Sequence, residues 1–385
     1  MHSSRPLGFL VALLLVAANL RPSLTGVGPL LLEIQQQLSL SATAAGLLNS
    51  LPLLIFAAAA PLAGLADRHG AERLTLVALI TLGVGTLLRS EGSIGALFAG
   101  TVVLASGIAV ANVLIPVLIK QHFPDRIATV TTAYATVLGA FAGLASGVSV
   151  PLARVLPGDW RGSLGCWSLL ALLAILLWLP HLRPVAHSDD PARQPAPRRV
   201  WRTSLGWQIT AFMGLQSAIF YTIVTWYPAI LSEAGFSLTA AGWMLTLYQF
   251  VGIAAGLAIP MLIRRLRDQR LLALITSLFA TAGNLGLLLA PSAALLWMAV
   301  LGIGTGPCLI LALSFVGLRA STAQTAAALS LMMQGLGYLL AAFGPVVFGY
   351  LHDSSGGWSL VLSGLALLGL LQGLCGYQAG RTRKI

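Results

Sequence analysis

A chain of 385 residues in which 57% are hydrophobic and only 9% charged, with a mean hydropathy of +0.88, has too little polar surface to cover a soluble globule, since an ordinary soluble domain carries about 25% charged residues. What remains is a polytopic membrane protein. At about 20 apolar residues per crossing and short connections, the length admits roughly twelve spans and no sizeable extramembrane domain. The net charge of +11 reads as membrane topology rather than as a nucleic-acid footprint, because its distribution along the chain is lopsided.

In chain order, the predicted spans cover 7–31, 42–66, 72–90, 94–119, 128–152, 163–181, 204–231, 238–263, 271–290, 293–318, 322–350 and 356–379. They are helices, because a segment in lipid must satisfy its own backbone polar groups, and the alternating ten-residue segments of a barrel are absent. Arg5, the apolar run after it and Val16-Ala17-Ala18 imitate a secretory signal. The run continues to Leu32 and further spans follow, so it reads as a retained first span. With the N-terminus placed in the cytoplasm, 18 of the 22 lysines and arginines fall on the cytoplasmic side. Only Arg89, Arg154 and Arg161 fall outside, and Arg21 lies within the first span. This bias sets both termini inside.

The stretch 182–203 carries Pro184, Pro191, Pro195 and Pro197 with two aspartates and several arginines, the composition of a flexible linker. It separates an N-terminal six-helix bundle, 1–181, from a C-terminal one, 204–385. The halves read as a parallel repeat. Gly139, Gly143 and Gly147 before Pro151, then Trp160, are matched by Gly335, Gly337 and Gly344 before Pro345, then Trp358. Two such bundles point to alternating access about a central site.

Several chemistries drop out at once. The only lysines, Lys120 and Lys384, follow no glycine, so there is no phosphate-binding loop and no ATP hydrolysis by this chain. The histidines all lie at span ends or in loops, where no intramembrane protease or zinc site could use them. Cys166, Cys308 and Cys375 sit apart in apolar runs and read as inert buried thiols, neither disulfide nor metal ligands. No cofactor and no metal are expected. Gly302-Ile303-Gly304-Thr305-Gly306-Pro307 follows no strand and so is no dinucleotide fingerprint; it reads as a broken or flexible point in the tenth span.

Ala63-Gly64-Leu65-Ala66-Asp67-Arg68-His69-Gly70 resembles the signature between spans two and three of the major facilitator superfamily, with Ala63 in place of the first glycine and Ala71-Glu72-Arg73 in place of the basic ending. The resemblance implies a cytoplasmic gate at Asp67, Arg68 and Gly70; on the residues alone, a solvated turn with Gly70 as a helix stop also fits. Asn19-Leu20-Arg21-Pro22 with Thr25-Gly26-Val27-Gly28-Pro29, Gly107-Ile108-Ala109 with Asn112 and Pro116, Trp226-Tyr227-Pro228, Gly317-Leu318-Arg319-Ala320 and Gln334-Gly335-Leu336-Gly337-Tyr338 resemble the cyanate and 2-nitroimidazole transporter subfamily. That resemblance implies transport of a small polar or anionic solute.

The acidic residues all stand in loops or at span boundaries, whereas proton-coupled carriers usually hold a carboxylate at membrane depth. Arg21, by contrast, lies roughly 21 Å along its helix at 1.5 Å per residue, too deep to snorkel, and no span offers it an acid. Its planar fork suits an anionic or nitro group. Asn19 and Thr25 in the first span, Asn112 in the fourth, Gln216, Tyr221 and Trp226 in the seventh and Gln334 and Tyr338 in the eleventh complete the expected substrate-binding set. The expectation is an all-α, twelve-span, multi-pass carrier of the bacterial inner membrane. It is not an enzyme, it acts as a monomer, and its partners are a small-molecule solute and the lipid bilayer, with no nucleic acid and no ATPase partner. A proton-coupled multidrug exporter or a non-transporting membrane sensor is the alternative.

Overall fold

In a computed structural model the described residues, 4–59, 70–182 and 200–385, are helical or in short connections. Among them, eleven helical segments are long and apolar enough to cross a membrane. The second predicted span appears as the shorter apolar helix α4, Ala42–Ala58; its expected continuation to residue 66 lies outside the described residues.

The first span is interrupted where one helix was expected. Helix α1, Ser4–Asn19, stops; α2, Pro22–Thr25, makes a single turn; a 3-10 turn follows at Gly28–Leu30; and α3 covers Leu31–Leu38. Pro22 and Pro29 each stand at the first or second position of the new turn, where a missing N–H costs nothing. Arg21 precedes α2, and its carbonyl accepts from Leu24 and Thr25 N–H at 2.9 and 3.0 Å. The depth computed for an unbroken helix is thus replaced by a site at a helix break.

The remaining helices are α5 Ala71–Arg89, α6 Ile94–His122, α7 Ile127–Val155, α8 Trp160–Gly165, α9 Trp167–Trp178, α10 Ser204–Glu233, α11 Leu238–Leu257, α12 Ile259–Arg265, α13 Arg270–Leu289, α14 Ala294–Arg319, α15 Ala323–Ser355 and α16 Ser359–Ala379. Several begin on a side-chain cap: Ser93, Thr203, Ser237 and Thr322 each accept from the N–H three residues on, at 3.1–3.2 Å. Gly70, at φ +81°, supplies the left-handed backbone that starts α5, a conformation other residues rarely take.

Packing divides the chain into two compact units, 1–39 with 58–191 and 40–57 with 192–385. In the first, α5 and α6 pack with almost no side chain between them. A Cβ on Gly107 would sit 2.5 Å from the Ala78 carbonyl, and one on Gly100 would strike the Arg89 backbone. Lipid faces are plain: Leu169, Leu172, Leu173 and Leu176 of α9 are exposed together at helical spacing, which suits hydrocarbon surroundings.

In the second unit α10 packs on α15 and α16, α11 on α14, and α13 on α14 and α16. The tenth span is a continuous helix through Gly302–Pro307, so the expected break is absent. Its glycines serve contact instead. A Cβ on Gly302 would meet the Tyr248 carbonyl at 2.5 Å, one on Gly306 would strike Gly252, and one on Gly304 would strike Ala280. Two helices approach from different sides, and small residues let their backbones close in.

Helix α4 joins this second unit through α15. Gly349 leaves 2.5 Å between a notional Cβ and the Ala42 carbonyl, and a Cβ on Gly46 would strike Pro345. The Asp353 carboxylate accepts from Ala42 N–H at 3.1 Å, and from Thr43 N–H and Oγ1–H at 2.8 and 2.7 Å. It satisfies amides that a helix start leaves unpaired and places negative charge at the positive end of the dipole.

Candidate functional site

The site is built around the break in the first span. The Asn112 carboxamide on α6 accepts from the Tyr134 hydroxyl on α7 at 3.4 Å, and the Arg21 guanidinium exerts its charge on that same phenol. Asn112 and Tyr134 therefore meet, with the Arg21 charge within electrostatic reach of the phenol, and each of the three is half-buried. An open cavity of about 660 Å³ runs along the α7 face formed by Thr129, Thr132, Ala133, Thr136 and Val137, on the helix that carries Tyr134. These positions recur at three and four residues, one side of a helix. The hydroxyls of Thr129, Thr132 and Thr136 give this face hydrogen-bond donors, and the Tyr134 phenol stands on the same helix. Such a face suits a small solute with several acceptor oxygens.

Asn19 and Thr25 have other work. Asn19 is buried, and its Nδ2 donates to the Leu15 carbonyl at 2.8 Å and to Leu170 on α9 at 3.2 Å. Thr25 donates to the Ala142 carbonyl on α7 at 2.8 Å, and Ser146 Oγ lies 3.3 Å from the Thr25 carbonyl. Both bind the broken first span to its neighbours, holding the turn that presents Arg21.

In the second unit, Gln216 Nε2 reaches the Thr305 carbonyl at 3.5 Å while its Oε1 accepts from Ser217 at 3.2 Å. The Thr305 and Tyr248 hydroxyls are hydrogen-bonded at 2.9 Å. This is a buried polar cluster across α10, α11 and α14, with Phe220 packed against both Tyr221 and Tyr248. Trp226 is 1% exposed. Its indole N–H donates to the Pro345 carbonyl at 2.9 Å, and its ring packs on Trp358, so it braces α15 where α4 crosses. Gln334 is exposed and donates to Ser330 Oγ at 2.9 Å, and Tyr338 meets Phe56 edge-on. Among the gate residues, Gly70 opens α5; Asp67 and Arg68 lie outside the described residues.

Sequence reasoning missed Tyr134 and the hydroxyl face of α7. The signal was present as Thr129, Thr132 and Thr136 at helical spacing, on a span not suspected of lining a site. It also read Arg89 as an outer-loop charge. The structure buries it to 1% exposure at the end of α5.

The family model of the Major Facilitator Superfamily matches residues 10–342. The 2-nitroimidazole transporter of Escherichia coli (strain K12) is 43% identical over 379 residues, covering 98% of this chain and 96% of that protein. The cyanate transport protein CynX of the same strain is 29% identical over 372 residues, covering 94% and 95%. Among solved structures, a bacterial homologue of the human lysosomal transporter Spinster superposes with a TM-score of 0.78 at 17% identity, over 97% of this chain and 96% of that one. That likeness concerns the fold alone. Full-length relationship to transporters favours a carrier over a sensor. The chain belongs to the major facilitator superfamily, in the subfamily of the cyanate and 2-nitroimidazole transporters, and is a multi-pass bacterial inner-membrane protein that moves a solute across the bilayer.

Proposed function

We propose that this carrier moves a small polar or anionic solute, cyanate-like or nitroimidazole-like, by alternating access, with Arg21 as the substrate anchor. The observation that carries the reading is the half-buried Arg21 at the break in the first span, its charge within reach of the Tyr134–Asn112 pair, with the threonine-lined cavity of about 660 Å³ on the same helix as Tyr134. The names of the two relatives above supply the substrate class. In the second unit Gln216, Tyr221, Gln334 and Tyr338 are the proposed solute contacts, and Asn19, Thr25 and Trp226 hold the helices of their own units. The chain acts as a twelve-span monomer with both termini in the cytoplasm. It is a carrier without enzymatic chemistry or an ATPase partner, and Asp67, Arg68 and Gly70 gate its cytoplasmic end.

The test is transport of 2-nitroimidazole and of cyanate into proteoliposomes. Arg21→Ala, correctly inserted, loses binding; Arg21→Lys keeps the fold but loses most transport, because an ammonium cannot reproduce the planar fork. Near wild-type affinity in Arg21→Ala removes Arg21 as the anchor. For the gate, Asp67→Ala slows turnover and leaves affinity within about threefold, about 0.7 kcal/mol; wild-type turnover counts against it.

A further inference from the structure

Arg89 is an arginine that the structure buries within the first unit, and transport by itself assigns it nothing. Its side chain is 1% exposed. One guanidinium nitrogen, Nη1, donates to the Ser23 carbonyl at 2.6 Å, while Nε and Nη2 have no hydrogen-bond partner among the described residues. No acid pairs with it in any described ion pair. A buried charge of this kind costs stability, and an apolar side chain of similar volume is often neutral or better. The C-terminal dipole of α5 favours a cation there, but it leaves those two nitrogens unfilled. The folded state has little use for this charge. The turn it touches does.

Ser23 is the second residue of α2, the single turn that follows Arg21. Because that turn ends before Val27, no amide of its own reaches the Ser23 carbonyl, and Arg89 supplies the donor. The Ser23 and Thr86 hydroxyls stand 3.4 Å apart on the same side. From the opposite side α7 fixes the turn through Thr25 to Ala142 and through Ser146 beside the Thr25 carbonyl. A Cβ on Gly26 would approach Ser149 Oγ to 2.9 Å, so the turn is closed in by packing as well. Two helices thus hold one four-residue turn, and the α5 hold is one charged donor beside a long hydroxyl contact.

We infer that Arg89 is a positioning residue for transport: its bond to the Ser23 carbonyl fixes the α2 turn and thereby the direction in which Arg21 meets the solute. Arg89 itself does not touch the solute. The inference rests on the reading of Arg21 as the anchor, and it deepens that reading by explaining why the first span is broken and what holds the break.

The decisive variants are Arg89→Met, which removes charge and donor at similar length, and Arg89→Lys, which restores both in part. Two readouts apply. Amide hydrogen exchange of the peptide spanning 20–27 reports the turn without any substrate. In Arg89→Met, exchange at Leu24 and Thr25 rises at least about tenfold, corresponding to 1.4 kcal/mol of lost protection. Uptake of 2-nitroimidazole into proteoliposomes then shows KM raised about tenfold with Vmax within about twofold, while the melting temperature is unchanged or higher. Arg89→Lys recovers at least half of both losses on a logarithmic scale. Unchanged exchange and KM in Arg89→Met overturn the inference. So does a fall in melting temperature, or failure to accumulate as folded protein, because Arg89 is then a folding residue. Lack of recovery in Arg89→Lys overturns the donor role. If exchange rises while Arg21→Ala transports normally, the anchor reading fails and the turn's support stands. If Arg21→Ala abolishes transport and Arg89→Met changes neither readout, the failure belongs to this inference alone.

Discussion

Tyr134 and Tyr227 show how differently two membrane phenols are used. Tyr134 is half-buried, with a long bond of 3.4 Å to Asn112. A hydrogen bond between membrane helices is worth about 0.6 kcal/mol on average, so Tyr134→Phe should leave the melting temperature within about 2 °C. Its effect should appear in transport, as a KM for 2-nitroimidazole raised several-fold; an unchanged KM places Tyr134 outside the site. Tyr227 is fully buried, and its hydroxyl donates to Asn284 Oδ1 at 2.5 Å, while Asn284 Nδ2 donates to the Ala280 carbonyl at 2.7 Å. Tyr227→Phe strands a buried carbonyl and should cost about 1–3 kcal/mol, read as a lower melting temperature with KM unchanged. The two variants separate binding from scaffolding with the same chemical deletion.

Among the helices, close approach and end charges do the organising. Where α11 meets α14, Gly306 lies so near Gly252 that an added Cβ strikes backbone, and backbone cannot rotate away as a side chain tip can. Overpacking at such a crossing costs about 1–3 kcal/mol. Gly306→Ala is therefore expected to lower the melting temperature, whereas Gly317→Ala, at a position with open space around the notional Cβ, should leave it unchanged or raise it. Equal effects at the two positions would remove the close-packing account of the tenth-span glycines. Asp353 works by charge. It accepts three hydrogen bonds from the first two residues of α4, and loss of a helix cap costs about 0.5–2 kcal/mol. Asp353→Asn keeps the shape but halves the acceptor oxygens and removes the charge. Hydrogen exchange at Ala42 and Thr43 should rise several-fold in that variant, with more in Asp353→Ala; unchanged protection would show that the cap contributes nothing.

For the molecule as a whole, the proposed orientation rests on the lysine and arginine distribution. If the basic loops are cytoplasmic, alkaline phosphatase, which needs an oxidising compartment for its disulfides, should be inactive when fused within the 182–203 linker. It should be active when fused after Glu233, at the far end of α10. The reverse pattern would invert the topology.

Composition and hydropathy were enough to determine the class of protein, its helical character and the approximate place of almost every span, because a lipid environment demands long apolar helices whatever the neighbours are. The short motifs Asn19-Leu20-Arg21-Pro22 and Leu65-Ala66-Asp67-Arg68 were enough for the family, and Arg21 stood out because a charge in an apolar run is costly wherever it points. Tertiary structure decided the rest. Whether Gly302–Pro307 bends a helix or seats it against two others depends on what lies across from it, and a glycine looks the same in both cases. Whether Asn19 faces a solute or the Leu170 carbonyl is a matter of rotation about the helix axis, which hydropathy does not encode when every face is apolar. Arg89 at a span end reads as a loop charge until the bundle closes over it, and only then does its bond to the turn that carries Arg21 come into view.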